Sequence, residues 1–153
     1  MKIVLRACGH ESYLIPLINK YGIGEIVHLK PPISYDEALV EMLEADGLLI
    51  MQSSNCNNQI PAKLYEYLRA QKPIFAMTDP NGDTAALLAL AGVTSIAKLN
   101  SVDNISQELK KFLNAISNGN VSVTPMETVQ YYSRESGTRK LAAMLNAALA
   151  KID

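Results

Sequence analysis

Cysteine is nearly absent: Cys8 and Cys56 are the only two in the chain. Two thiols cannot frame a disulfide scaffold or a cysteine zinc site, and they suit a reducing, cytoplasmic compartment. Charge of one sign is missing too. Lys and Arg number 14 against 15 Asp and Glu, a formal net charge of -1, so no basic field draws the chain to nucleic acid. Long apolar runs are also lacking. The opening Met1-Lys2-Ile3-Val4-Leu5 is broken by Arg6 and followed by Gly9-His10-Glu11, which is too short for a signal peptide or a membrane span. There are no internal repeats and no low-complexity segment. What remains is 153 residues, 48% hydrophobic and 19% charged, enough for one globular domain with a sizeable core.

Short apolar runs alternate with longer stretches of helical period. Residues 2–8 read as a strand and 11–20 as a helix with Leu14, Leu17 and Ile18 on one face. Gly22 is placed to end that helix in a left-handed cap. Gly22 and Gly24 form a G-x-G, but it follows a helix and precedes the strand 25–29, the reverse of the dinucleotide-binding context. Pro31 and Pro32 break the chain. Ser34 and Glu37 then have capping-box spacing ahead of a helix from Tyr35 to about Ala45. The continuous apolar run 47–51 has the character of a strand buried on both faces of a parallel sheet.

Further strands are expected at 72–77 and 94–97, and helices at 61–70, 83–91 and 103–116. The strand–helix unit thus recurs five times with short loops. This pattern predicts an α/β fold: a Rossmann-like open parallel sheet of about five strands with helices on both faces. Residues 1–118 form that body, and 119–153 are its helical extension. Within the extension, Thr124-Pro125 looks like a capped helix start, and an amphipathic helix from Arg134 to Lys151 carries Leu141, Met144, Leu145 and Leu149 on one side.

Ligands of such sheets bind at the carboxyl ends of the strands. The polar loop 52–59 leaves the most apolar strand at that edge and enters a helix. Pro61 suits the first helical position, which puts Ile60 at the cap. Ile has no side-chain acceptor, so the first-turn amides lack a side-chain cap from that position. Free amides at the positive end of a helix dipole are a ready anion site. Lys63 and Glu66 are neighbours on one face of this helix. By spacing alone they are a solvated ion pair of little consequence; their place at the ligand edge is what recommends them.

Ala45-Asp46-Gly47-Leu48-Leu49, Gln59-Ile60-Pro61-Ala62-Lys63-Leu64-Tyr65-Glu66-Tyr67-Leu68, Lys72-Pro73-Ile74 and Gly82-Asp83-Thr84 follow one another in order. This succession resembles the carboxyl-terminal domain of GT-B-type retaining glycosyltransferases. Tyr132-Ser133-Arg134-Glu135 with Leu141 is similar to that family's terminal helix. The resemblance covers nearly the whole chain and is most specific between Ala45 and Thr84.

It implies the donor-binding half of an enzyme that transfers a sugar, with retention, from a nucleotide-diphosphate sugar. By the resemblance, Glu66 takes the two ribose hydroxyls, and a carboxylate can accept both in charge-assisted bonds. The backbone around Ile60, Pro61, Ala62 and Lys63 inherits the diphosphate. Asn58, Gln59 and Gly82 face the donor sugar, Gly82 by letting backbone approach it. The family commonly has a carboxylate where this chain has Asn58, whose amide can hydrogen-bond a sugar hydroxyl without bringing charge. The resemblance further implies that the chain starts inside the domain, that a separate amino-terminal domain holds the acceptor, and that an apolar strip left bare favours self-association. It assigns no catalytic nucleophile, metal or cofactor.

Other candidates carry less. Gly9-His10 sits at a ligand edge, but a lone loop His is more often a cap or surface residue, and His28 lies within an apolar strand. No third ligand makes them a metal motif. Asp79, Asn81 and Asp83 alternate like a calcium loop, but Thr84 stands where the loop glycine belongs, so they read as a turn and a helix cap. Tyr131 and Tyr132 read as packing residues. No G-x-S-x-G, Walker A or Cys–His arrangement occurs. The competing function is a non-catalytic Rossmann-like module, nucleotide-binding or regulatory. A receiver domain is disfavoured because Cys8-Gly9-His10-Glu11 and Met51-Gln52-Ser53 lack its acidic cluster and its strand-ending Asp.

Overall fold

The computed structural model describes residues 1–150. In chain order the elements are β1 (Ile3–Arg6), α1 (Glu11–Lys20), β2 (Val27–Lys30), α2 (Tyr35–Glu44), β3 (Leu48–Met51), α3 (Ala62–Ala70), β4 (Ile74–Met77), α4 (Asp83–Leu90), β5 (Ile96–Ala97), α5 (Val102–Ser117), α6 (Met126–Tyr131) and α7 (Arg134–Leu149). A single 3₁₀ turn, Ser54–Cys56, lies in the loop after β3. The protein is mixed α/β and every strand pair is parallel. Lys151, the expected end of the last helix, lies outside the described residues.

The five strands do not form the single sheet that the sequence predicts. β1 pairs with β2, and separately β3, β4 and β5 pair in that order. The ladders are short: four residues in β1–β2 and β3–β4, and two in β4–β5. Backbone pairing alone therefore fixes little, and each sheet depends on the side chains packed on it. The division follows the two compact units of the chain, Met1–Glu41 and Met42 onward.

The first unit is a β-α-β crossover whose parts match the expected signals. Gly22 has φ 64° after α1, the left-handed conformation that glycine adopts without strain. At the start of α2 the Ser34 amide and hydroxyl both donate to Glu37 Oε2, at 2.9 and 2.7 Å, and the Glu37 amide returns a bond to Ser34 Oγ at 3.3 Å. This reciprocal box satisfies donors the helix itself cannot. It also holds the Glu37 carboxyl below the usual carboxylate range, the Ser34 hydroxyl being the larger cause. Arg6, half-buried, donates to Glu41 Oε2 at 2.6 Å and to the Pro31 carbonyl at 2.7 Å, tying β1 to both ends of the segment beyond β2. No residue of this unit is fully buried.

The second unit has the buried cores. Side chains alternate across β3 and β4, as strand geometry requires. Leu48, Ile50, Ile74 and Ala76 face Leu64 and Leu68 of α3 and Leu87, Leu88, Ala91 and Val93 from α4 and its exit. Phe75 and Ala97 belong to a second cluster with Phe112 of α5, flanked by Leu49, Met77, Ile105, Leu109 and Ile116. A parallel sheet covered on both faces is the arrangement the apolar run at β3 predicts. Phe75 and Phe112 meet with ring centroids 5.4 Å apart. Gly47 lies against Phe112 and Ile116 of α5. A methyl group there would lie 3.0 Å from Phe112 Cζ and 3.3 Å from Ile116 Cδ1.

Two helix starts differ from expectation. Pro61 is the cap of α3 rather than its first residue, with ψ 133°, so the helix begins one residue later at Ala62. Likewise α6 opens at Met126 behind Pro125, and the Thr124 side chain, 2% exposed, does not cap it. Instead the Thr124 carbonyl accepts a 3.0 Å bond from Gln71 Nε2. Gln71 closes α3 in the left-handed region, φ 51°, a conformation that strains a side-chain-bearing residue. That bond to Thr124 is something glycine could not make.

Candidate functional site

The carboxyl ends of β3, β4 and β5 present three loops on one edge of the second unit. The ladder runs on past the strands, with the Gln52 amide donating to Met77 O and the Thr78 amide to Ala97 O, both at 2.9 Å. Loop 52–61 leaves from this edge and is held by side chains at both ends. Gln52 Nε2 donates to the carbonyls of Cys56 at 2.9 Å and Gln59 at 2.7 Å. Its Oε1 accepts from the Thr84 hydroxyl, which also lies 3.1 Å from the Gln59 carbonyl. The chemistry fixes the orientation of the Gln52 amide, because its two hydrogens meet carbonyls and its oxygen meets a hydroxyl. Thr84, 1% exposed, is in the first turn of α4.

A second tie joins the same loop to the one after β4. Asn57 Nδ2 donates to Asp79 Oδ2 at 2.7 Å, and the Asp83 amide donates to the Asn57 carbonyl at 2.8 Å. Asp79 Oδ1 accepts from the Asn81 amide at 3.0 Å, the turn read from the sequence. The Asn57 amide, and after it the Asn81 amide, hold the Asp79 carboxyl below its ordinary range. Gly82 is buried behind this tie: a Cβ there would lie 3.2 Å from Asn57 Oδ1 and 3.4 Å from Asn57 Cα. The close approach at Gly82 in the free protein is thus to Asn57. Gly82 is also the residue that caps α4, so Asp83 opens that helix.

Beyond the tied loop the start of α3 is open. No side chain caps it, and Ala62 and Lys63 are exposed. The Leu64 amide is already engaged by the Pro61 carbonyl at 2.9 Å. Leu64 and Leu68, at 0% and 1% exposure, anchor the opposite face of the helix, so α3 cannot turn its start inward. Glu66 and Lys63 are both exposed and make no ion pair with each other; among the described residues the ion pairs are Arg6–Glu41, Lys111–Glu108 and Arg139–Glu135. The adjacent Tyr67 hydroxyl is pushed up by burial first and by the Glu66 charge second.

One loop and one helix start therefore bring together Asn58, Gln59, Ile60, Pro61, Ala62, Lys63 and Glu66. Asn58 and Gln59 are exposed, and Ile60 turns partly into the core. Sequence reasoning missed Gln52, Asn57 and Thr84, and saw in Asp79 only a turn. Two signals were available: Gln52 is the first polar residue after a wholly apolar strand, and Thr84 interrupts an otherwise apolar helix face. His10 caps α1 by position, but its ring makes no capping bond, and His28 Nε2 lies 3.2 Å from the Glu25 carbonyl. Among the described residues no cluster of His, Cys, Asp and Glu could hold a metal ion.

Tyr131 and Tyr132 meet edge to face at 5.0 Å, with Tyr65 5.9 Å from Tyr132 and the Lys140 ammonium 3.3 Å above the Tyr131 ring. Tyr132 packs against the first core cluster, whereas Tyr131 is 57% exposed, so only Tyr132 is the packing residue expected. Two surface hollows, one at Ile74, Ser95 and Val121 and one at Leu90, Glu127 and Tyr132, include no residue of loop 52–61 or of the start of α3. No family model, curated protein or solved structure matches the chain. No helix among the described residues is long and apolar enough to cross a membrane.

Proposed function

We propose that this chain is the Rossmann-like donor-binding domain of a retaining glycosyltransferase of the cytoplasm, holding the nucleotide half of a nucleotide-diphosphate sugar. One observation carries the reading. An uncapped, exposed helix start follows a tied loop at the carboxyl edge of a parallel sheet, and an unpaired carboxylate, Glu66, stands one turn further on. Ala62 and Lys63 are exposed, and their amides, with the Lys63 ammonium, offer donors and positive potential to a diphosphate. Glu66 offers two oxygens to a vicinal diol. Asn58 and Gln59, in the loop that leads there, reach toward the sugar.

The reaction needs no protein nucleophile on this reading. As the glycosidic bond lengthens, negative charge gathers on the departing diphosphate, and amides and a cation placed in advance stabilise it. An acceptor-binding domain supplies the second wall that holds the acceptor and keeps water away. The competing reading, a nucleotide-binding module without catalysis, is favoured by Asn58, which brings no charge where a carboxylate is common in the family the chain resembles. Titration with UDP, GDP, ADP and their sugar conjugates, followed by amide chemical shifts, tests the shared part. Shifts over residues 57–66 are expected, and shifts confined to another surface at saturating ligand overturn the placement. Sugar transfer on mixing with an acceptor domain separates enzyme from module.

A further inference from the structure

The side chains that make the site's geometry are not the ones that face its ligand. Gln52 and Thr84 are 32 residues apart in sequence and converge on one backbone atom. The Gln59 carbonyl accepts from Gln52 Nε2 at 2.7 Å and lies 3.1 Å from the Thr84 hydroxyl. Gln52 Oε1 accepts from the same hydroxyl, closing a three-membered network of amide, hydroxyl and carbonyl. The second Gln52 hydrogen goes to the Cys56 carbonyl at 2.9 Å, so one side chain spans the loop from its 3₁₀ turn to its exit. Gln59 is followed by Ile60 and by Pro61, whose fixed φ leaves few ways to continue the chain. Fixing the Gln59 carbonyl therefore fixes the direction in which α3 begins.

We infer that Gln52 and Thr84 are positioning residues for nucleoside-diphosphate binding: they hold the Gln59 carbonyl and thereby aim the amides of Ala62 and Lys63. The inference rests on the donor-binding reading above and deepens it. Neither residue touches the ligand, and neither is a carboxylate or a cation. Thr84 is 1% exposed and has no route to solvent. Its hydroxyl is the part that enters the network. Loss of the hydroxyl leaves Gln52 Oε1 without its donor, so the Gln52 amide, and through it the Gln59 carbonyl, gains freedom where the diphosphate is to be met.

The experiment compares Thr84→Val, Thr84→Ser and Gln52→Ala with the natural chain, by titration of UDP, GDP and ADP beside uridine, guanosine and adenosine. A diphosphate reads the helix start, whereas a nucleoside reads only Glu66 and the base contacts. Thr84→Val is expected to weaken the diphosphate about tenfold and the nucleoside less than twofold, so their ratio falls. Thr84→Ser, which keeps the hydroxyl, restores the ratio. Gln52 is only half-buried, so Gln52→Ala gives the same loss of ratio in a chain that folds even where Thr84→Val does not. A merely structural role lowers the melting temperature and leaves the ratio unchanged, which overturns the positioning. Absence of diphosphate binding by the natural chain removes the donor-binding reading and takes this inference with it. Binding by the natural chain with an unchanged ratio in both Thr84→Val and Gln52→Ala removes the inference alone.

Discussion

At the scale of single residues the site is divided between groups that face outward and groups that hold them. Glu66 is of the first kind: exposed, unpaired and one turn into α3. Glu66→Gln is expected to weaken ribonucleotide binding by about 1–3 kcal/mol, the range for a hydrogen bond to a charged group, with the melting temperature unchanged. A 2′-deoxynucleotide offers one hydroxyl fewer and should lose less, and equal losses for both ligands in the titration would show that Glu66 does not read the ribose. Asp79 is of the second kind. Its carboxyl is held below the ordinary value of 3.8 by the Asn57 amide and then by the Asn81 amide. A depressed carboxylate stabilises the fold fully above its unfolded value and loses that contribution as pH falls through the folded one. Thermal unfolding of the natural chain should therefore exceed that of Asn57→Ala near pH 7, and the gap should close on acidification below about 3.8. A gap that is constant down to pH 2 would mean that packing around Gly82, not the ionised tie, holds the loop. Neither tie is legible in a sequence, because Asn57 and Asp79 are 22 residues apart and Gln52 and Thr84 are 32. No local rule of spacing joins residues that only a closed sheet edge brings together.

At the scale of elements most of the chain was readable, since helices and strands announce themselves within a few residues. The Ser34–Glu37 box and Gly22 each end or begin an element where the sequence says. Misplaced starts occur at Pro61 and Pro125, where the ring fits either the cap or the first turn and only the preceding backbone decides. Sheet membership was harder, because an apolar strand does not say which neighbour it pairs with. The packing of the elements makes two further predictions. Leu64→Ala, at a position with no exposure, should cost about 2–5 kcal/mol in chemical denaturation through the cavity it leaves under α3. Gly47→Ala should cost about 1–3 kcal/mol, because the added methyl meets Phe112 Cζ at 3.0 Å with Ile116 behind it. Restoration by Gly47→Ala combined with Phe112→Leu would identify the overlap as the cause, and additive losses in the double variant would refute it.

At the scale of the whole molecule the burial is uneven. Every fully buried side chain belongs to the unit that begins at Met42, and none to Met1–Glu41. Native-state hydrogen exchange should therefore find the amides of β1 and β2 opening at lower free energy than those of β3 and β4; equal protection in both sheets would contradict this. The Leu141, Met144, Leu145 and Leu149 stripe of α7 is 56–70% exposed, whereas the amphipathic pattern of that helix leads to the expectation of a covered apolar face. The uneven burial also sets an order in time. A ribosome delivers residues 1–41 before any side chain of either core has left the exit tunnel, and at about 5–20 residues per second the 112 that follow take roughly 6–22 s. During that interval the growing chain has β1, α1 and β2 outside, with no fully buried side chain among them. The helper proteins of the cell, which recognise apolar chain not yet buried, would meet this segment before either core has formed. Arrested nascent chains cut after β2 should bind such helpers, and an absence of binding would contradict this.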